Sequence, residues 1–310
     1  MLPFKLVYHD RYNLPIGPHV FPSHKFRMVR DALLAEKVAG PEDFPEPLPA
    51  SDEDVLRVHT PGYVDRLKHD KLSATERMLL ELPFSPQLVE SFWLAAGGSI
   101  LAGHCALEDG FAANIGGGFH HAFPEHGEGF CMLNDVAIGI RRLQSDAAAE
   151  GEPLQVMVVD TDVHQGNGTA AVFAGDSSVF TLSIHQEHNY PVPKQKSDLD
   201  INVEDAAGDE EYLELLGAGL REALGRFKPD LMFYVGGADP YREDQLGGLW
   251  LTLAGLRKRD LLVFGEARRR GVPVAATLAG GYARNVSDTV RIHVEMVMAA
   301  RDIANQAVLR

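Results

Sequence analysis

Asp160, Asp162 and His164 are spaced by two and begin at the end of an apolar run, Val156–Asp160. In an extended segment residues spaced by two point the same way, so two neighbours can reach one ion from a single strand end. A catalytic zinc-type site needs three protein ligands and an open position for water. Asp162 and His164 supply two, and Asp239, in Gly236-Gly237-Ala238-Asp239, is the natural third. An Asp2His set suits Zn²⁺ or Fe²⁺ alike. A two-manganese site would need further carboxylates, and Asn167 and Pro240 stand where they would be useful. One catalytic metal is therefore expected.

Proton-handling groups lie nearby in type if not in sequence. His120 and His121 follow Gly116-Gly117-Gly118, a backbone that can fold tightly enough to put both imidazoles in one cleft. A histidine pair alone is commonly structural. Beside a metal motif, the pair could hold an attacking water and protonate a leaving amine. Asp160, left over from metal ligation, could be a carboxylate partner for one histidine, and Asn167 a neutral partner for the other. Tyr282 follows Gly280-Gly281, where its hydroxyl could hydrogen-bond a carbonyl oxygen opposite the metal. Phe130, after Gly129, could line a narrow apolar slot. The chemistry these residues share is metal-dependent amide hydrolysis.

Such residues must be positioned by strand ends. Apolar β-branched runs predict strands over Lys5–His9, Val55–His59, Phe111–Ile115, Val156–Asp160, Val179–His185, Leu231–Val235 and Val272–Leu278. Between them, helices are expected over Lys25–Lys37, Gln87–Glu108, Asn134–Gln144, Glu210–Phe227, Leu253–Arg269 and Asp288–Asn305. Near-continuous apolar strands alternating with helices indicate a parallel sheet covered on both faces. The fold class is α/β, a single-domain open parallel sheet flanked by helices, over residues 1–310. The polar blocks follow the strand ends, where open α/β sheets bind ligands.

Bulk properties narrow the function. The net charge of −15 opposes direct nucleic-acid binding and would tolerate a cationic lysine-rich or polyamine substrate. No apolar stretch reaches the roughly 18 residues of a membrane span, and the N-terminus lacks the apolar core of a signal peptide. Cys105 and Cys131 form no CxxC pair, which excludes a thiolate zinc site and suggests a reducing, cytoplasmic setting. Cys131 has no positive neighbour in sequence to activate it as a nucleophile. Oligomeric state is left open.

The chain resembles the zinc-dependent histone deacetylases of the arginase/deacetylase superfamily. The resemblance rests on Gly117-Gly118-Phe119-His120-His121-Ala122, Gly129-Phe130-Cys131-Met132-Leu133-Asn134-Asp135, Asp160-Thr161-Asp162-Val163-His164-Gln165-Gly166-Asn167-Gly168, Ala238-Asp239 with Gln245-Leu246-Gly247-Gly248-Leu249, and Gly280-Gly281-Tyr282. Gln165 and Asn167, where class I members carry His and Asp, favour the class IV branch, as does Lys258-Arg259-Asp260. The resemblance implies metal ligands Asp162, His164 and Asp239, with His120 and His121 handling protons. It implies Asp160 behind His120, Asn167 behind His121, and Tyr282 on the carbonyl. Gly129 and Phe130 would lie along an acyl-lysine tunnel, flanked also by the small Gly281. Structural K⁺ is implied too, at Asp160, Asp162, His164, Ser183 and Ile184, and at a second site including Phe173 and Val179.

Two departures stand out. Lys25 sits roughly where class I members carry an arginine lining an internal acetate channel, which leaves the product's exit open. No residue between Asp70 and Pro86 matches the family's substrate-clamping acid. The expected activity is hydrolysis of N-ε-acyl-lysine, acetyl or, from the class IV resemblance, a longer fatty acyl group. An acetylpolyamine or other small-amide deacetylase would use the same residues. An inactive deacetylase-like binding protein is the reading of another class.

Overall fold

The structure is a computed structural model and describes residues 2–306. Its frame is one sheet of seven strands, all parallel: β1 (Lys5–Val7), β2 (Phe111–Asn114), β3 (Val156–Asp160), β4 (Val179–Gln186), β5 (Leu199–Val203), β6 (Leu231–Val235) and β7 (Val274–Thr277). The spatial order is β1-β2-β7-β6-β3-β4-β5. Strands β2, β3, β4, β6 and β7 are buried along their whole length, which is why they read as continuous apolar runs.

Ten helices flank the sheet: α1 (Lys25–Ala35), α2 (Asp52–Leu56), α3 (Pro61–Lys68), α4 (Ala74–Leu80), α5 (Pro86–Asp109), α6 (Asp135–Ala149), α7 (Asn167–Val172), α8 (Asp209–Arg226), α9 (Leu253–Arg270) and α10 (Val286–Asn305), all within the described residues. Helices α5 and α6 pack on each other, and α5 lies on β1, β2 and β7. A second group runs α8, α9, α10, α1 by successive contacts, with α8 on β4 and β5. Local signals set the ends. Ser85 accepts the Leu88 N–H and Pro86 opens α5, while Gly110 closes it at φ +82°. Thr252 caps α9, which ends in Arg268–Arg270 before Gly271 at φ +69°.

Two expectations change. The Val55–His59 stretch is not a strand: it holds the end of α2 and a following turn. Ser51 and Asp54 form a capping box, each side chain bonding the other's backbone N–H, and this local device overrides the β-branched pattern. Strand β5 was not anticipated. Its alternating Leu199-Asp200-Ile201-Asn202-Val203 belongs to an edge strand with one partner, β4. No helix among the described residues is long and apolar enough to cross a membrane.

The order places the chemistry. Asp160, the last residue of β3, lies opposite Val235, the last of β6; Val235 lies opposite Thr277 of β7, and Thr277 opposite Asn114 of β2. The loops after these four neighbouring strands therefore leave one edge of the sheet side by side.

Candidate metal centre and active site

The loop after β3 brings Asp162 and His164 beside Asp239 from the loop after β6. One ligand atom from each lies within 4.8 Å of the others, and all three residues are buried. His164 Nδ1 is 3.1 Å from Asp162 Oδ1 and 3.4 Å from Asp239 Oδ2. The remaining carboxylate oxygens are tied to backbone: Asp239 Oδ1 accepts Val163 N–H at 2.9 Å, and Asp162 Oδ2 accepts Gly280 N–H at 2.9 Å. Asp239 Oδ2 is buried with no hydrogen-bond partner. Such an orphan acceptor is costly unless a cation takes it. A Cβ on Gly280 would come within 2.0 Å of that oxygen, so the turn must be glycine to leave it clear. Burial and the neighbouring Asp162 push the Asp239 carboxyl up to about 7. Two carboxylates and an imidazole this close share protons unless a cation replaces them. The donor set, the orphan oxygen and the cleared space all fit one divalent ion.

The glycine loop after β2 delivers the histidines. Gly118 sits at φ +104°, with Ala279 of the β7 turn so near that an added Cβ would be 2.6 Å from its Cα. Asp135 at the start of α6 holds this loop by accepting the N–H groups of Gly118 and Phe119. His120 Nδ1 is 2.7 Å from Asp160 Oδ2, and His121 Nδ1 is 2.7 Å from Asn167 Oδ1. The two Nε2 atoms are 3.1 Å apart. Burial alone would lower both imidazoles. Against it, Asp160 and Asp162 raise His120 to about 9. For His121, burial and the facing His120 and His164 push the same way, well down. A charged partner behind one ring and an amide behind the other thus separate two adjacent histidines.

Tyr282 stands on the β7 turn with its ring 6.4 Å from that of His164. Burial, then the charges of Asp239 and Asp162, push its hydroxyl well up, so it stays a proton donor. Asp244 fixes the turn by accepting Tyr282 N–H at 2.6 Å. Cys131 lies along the same cavity, and burial pushes its thiol well up, against a nucleophilic role.

Phe130 and Gly129 line the approach, with Tyr190 and Leu246, around an outer cavity of about 210 Å³. The loop carrying them hangs on the end of α4: Gly129 N–H bonds Leu79 O and Phe130 N–H bonds Leu80 O, both at 3.1 Å. The inner end is nearly closed, with about 20 Å³ of space against Phe21, Phe26 and Phe119. The Phe21 ring packs 6.2 Å from both Phe130 and Tyr282. Gly281 does not line this passage. A Cβ there would meet Thr289 and Ala238 behind it, so its role is to let the turn pass.

Sequence reasoning missed several supports. Lys25 is fully buried and donates to Ala279 O and Gly280 O at 2.7 and 2.9 Å, tying α1 to the Tyr282 turn. Burial lowers its ammonium to about 8. Arg259, also fully buried, pairs with Asp260 and donates to Gly237 O at 2.5 Å, bracing the loop that carries Asp239. Glu81, at φ +56°, comes from the unmatched 70–86 segment to the outer mouth. No spacing in the sequence marks Phe21 or Glu81. Of the expected cation residues, Asp160 pairs with Ser183 across β3 and β4, whereas Val179 starts β4 at its opposite end. The Phe173 carbonyl there accepts Asp176 N–H.

Comparison with known proteins finds relatives over most of the chain. The profile of the histone deacetylase domain matches residues 19–297. An uncharacterized protein of Picosynechococcus is 42% identical over 97% of this chain and 99% of its own. Histone deacetylase 2 of Arabidopsis thaliana is 33% identical over 88% of this chain and 73% of its own. The crystal structure of a histone deacetylase homologue from Aquifex aeolicus superposes with a TM-score of 0.82 at 23% identity, covering 98% of this chain and 84% of that one.

Proposed function

The chain belongs to the histone deacetylase family, and we propose that it hydrolyses the amide of an N-ε-acyl-lysine with Asp162, His164 and Asp239 holding one Zn²⁺-type ion. The observation that carries this reading is the orphaned Asp239 Oδ2 facing His164 and Asp162, next to a histidine pair with unequal partners. A bound ion supplies Lewis acidity and makes water a nucleophile near neutral pH. The chain's own residues do the rest. His121, with only an amide behind it, takes a proton from the attacking water. His120, backed by Asp160, gives one to the leaving lysine amine. Tyr282 donates its hydroxyl to the acyl oxygen as charge develops there. Phe130, Gly129 and Tyr190 exclude water along the lysine stem.

The closed inner end favours a short acyl group. About 20 Å³ accepts roughly one water-sized group, which supports acetyl over the fatty chain that the class IV resemblance suggests. Zn²⁺ is preferred on family membership, and the Asp2His donors accept Fe²⁺ equally. Structural K⁺ is proposed at Asp160, Asp162, His164, Ser183 and Ile184, and at Phe173 and Val179. We further place the protein in the cytoplasm as one catalytic domain; both cysteines are free thiols, which suits that compartment. A panel of acetyl-, octanoyl- and myristoyl-lysine peptides with acetylpolyamines, assayed on metal-reconstituted protein, tests the reading. Turnover of acetyl-lysine peptide is expected. Turnover of polyamines alone would transfer the assignment to small amides. No turnover at full metal occupancy would make it a binding protein.

A further inference from the structure

A carboxylate outside the metal cluster ends the polar chain that begins at His121. Asn167 Oδ1 faces His121 Nδ1, and the other atom of the same amide, Nδ2, lies 2.7 Å from Glu128 Oε1. The same Glu128 oxygen accepts the Tyr190 hydroxyl at 2.5 Å, and Oε2 is 3.2 Å from His126 Nε2. The carboxylate is largely covered, with 14% of its side chain exposed. Burial would raise its pKa, but the bonds from His126, Tyr190 and Asn167 outweigh this and hold it below the usual glutamate range. It is therefore ionised, and an ionised carboxylate only accepts hydrogen bonds.

That one-way character settles the amide. Asn167 can present either its oxygen or its NH₂ to His121, and the two orientations have opposite consequences. With NH₂ forward, Nδ1 of His121 would have to accept, the ring proton would sit on Nε2, and no lone pair would face the reaction. Glu128 requires the NH₂ for itself, so the oxygen faces His121. An amide oxygen cannot donate, so Nδ1 carries the proton and Nε2 is bare. The other neighbour agrees: His120 donates through Nδ1 to Asp160, and its Nε2 lies 3.1 Å from His121 Nε2.

We propose that Glu128 is a positioning residue which, through the Asn167 amide, holds His121 in its Nδ1–H tautomer and leaves Nε2 free to take a proton from water. The inference rests on the reading of His121 as the proton acceptor given above. Glu128 touches no reacting atom; it acts two hydrogen bonds away, between a base and the Tyr190 ring that packs 5.0 Å from the His121 ring.

The test uses the metal-loaded full chain with ¹⁵N-labelled histidine. Long-range ¹H–¹⁵N correlation of the rings reports which His121 nitrogen is protonated. In the parent, Nδ1–H is expected. Glu128→Leu removes the acceptor; His121 should become a tautomer mixture, and kcat on an acetyl-lysine peptide should fall about 10-fold with KM nearly constant. Glu128→Gln still offers an oxygen to Asn167, so it should restore the tautomer and most of the lost kcat. A kcat loss with the tautomer unchanged would assign Glu128 to the placement of Tyr190 alone and overturn the proposal. So would a Gln variant no better than Leu. Should Glu128→Leu fail to fold, Glu128→Ala, which removes the same acceptor without added bulk, takes its place: a His121 tautomer unchanged from the parent in that variant overturns the proposal. If the parent hydrolyses no acyl-lysine, the functional reading fails, yet the ring spectra still decide the role of Glu128.

Discussion

The floor of the cleft and its mouth are built from different backbone. On the floor, Asp160, Asp162, His164, Asp239 and the histidine pair leave the ends of neighbouring parallel strands. All are buried, and nearly every polar atom is tied to a named partner. At the mouth, Glu81, Phe130 and Tyr190 come from the end of a short helix and two loops, and they are exposed or only partly covered. Loops that leave neighbouring strand ends side by side are fixed by the sheet beneath them, whereas the loops of the mouth are fixed by a few local bonds. Substitutions on the floor should therefore abolish chemistry, and those at the mouth should re-rank substrates.

The largest effect is expected at the proposed third ligand on the floor. Asp239→Ala should lose bound metal and all measurable turnover, read by elemental analysis and peptide assay. Full metal occupancy in that variant would remove Asp239 from the ligand set. Beneath the floor, Arg259→Ala leaves the Asp260 carboxylate buried without its partner. It should cost about 3–5 kcal/mol of unfolding free energy in denaturant titration. An unchanged midpoint would mean that the Gly237 loop is braced by something else. Tyr282→Phe keeps the ring and should cut kcat roughly 10²–10³-fold with metal content intact. Wild-type kcat would show that another donor meets the acyl oxygen.

Smaller, selective effects should appear away from the strand ends. Phe21→Ala opens the inner end, and each extra buried CH₂ is worth about 0.8 kcal/mol. The octanoyl-to-acetyl ratio of kcat/KM should rise on the order of tenfold; a constant ratio would mean that Phe21 does not limit chain length. At the mouth, Glu81→Gln should raise KM for a peptide by only a few-fold, because an exposed charge contributes roughly 1 kcal/mol or less. A large fall in kcat there would erase the distinction between mouth and floor.

The same division governs what could be read from the chain. Asp160, Asp162, His164, Asn167 and Asp239 were legible because strand ends in a parallel sheet meet wherever their neighbours end, and short motifs mark those ends. Leu231–Val235 and Val156–Asp160 were legible to the residue, since buried strands leave continuous apolar runs. Phe21 and Glu81 were not legible as parts of the site, and Lys25 was marked only by its channel position, not by its bonds to the Tyr282 turn. They reach it through tertiary packing, with no spacing that a single segment could show. Glu128 stood next to a recognised block, but its effect passes through an amide whose orientation only the folded partners decide. The Val55–His59 stretch failed for the opposite reason. There the Ser51–Asp54 box starts a helix, whereas the β-branched residues that follow it have the pattern of a strand.

The bond from Lys25 to the carbonyls of Ala279 and Gly280 joins positions more than 250 residues apart. The turn that carries Tyr282 is thus completed by the first long helix and the last strand together. Closing so long a loop costs chain entropy that the contact must offset. A nascent or partly folded chain could present Asp162 and His164 on the loop after β3, but it would lack Asp239 until β6 pairs and Tyr282 until β7 does. Time-resolved metal uptake during refolding would then report sheet completion rather than local structure. Reactivity would be withheld until α1 and the turn after β7 have met.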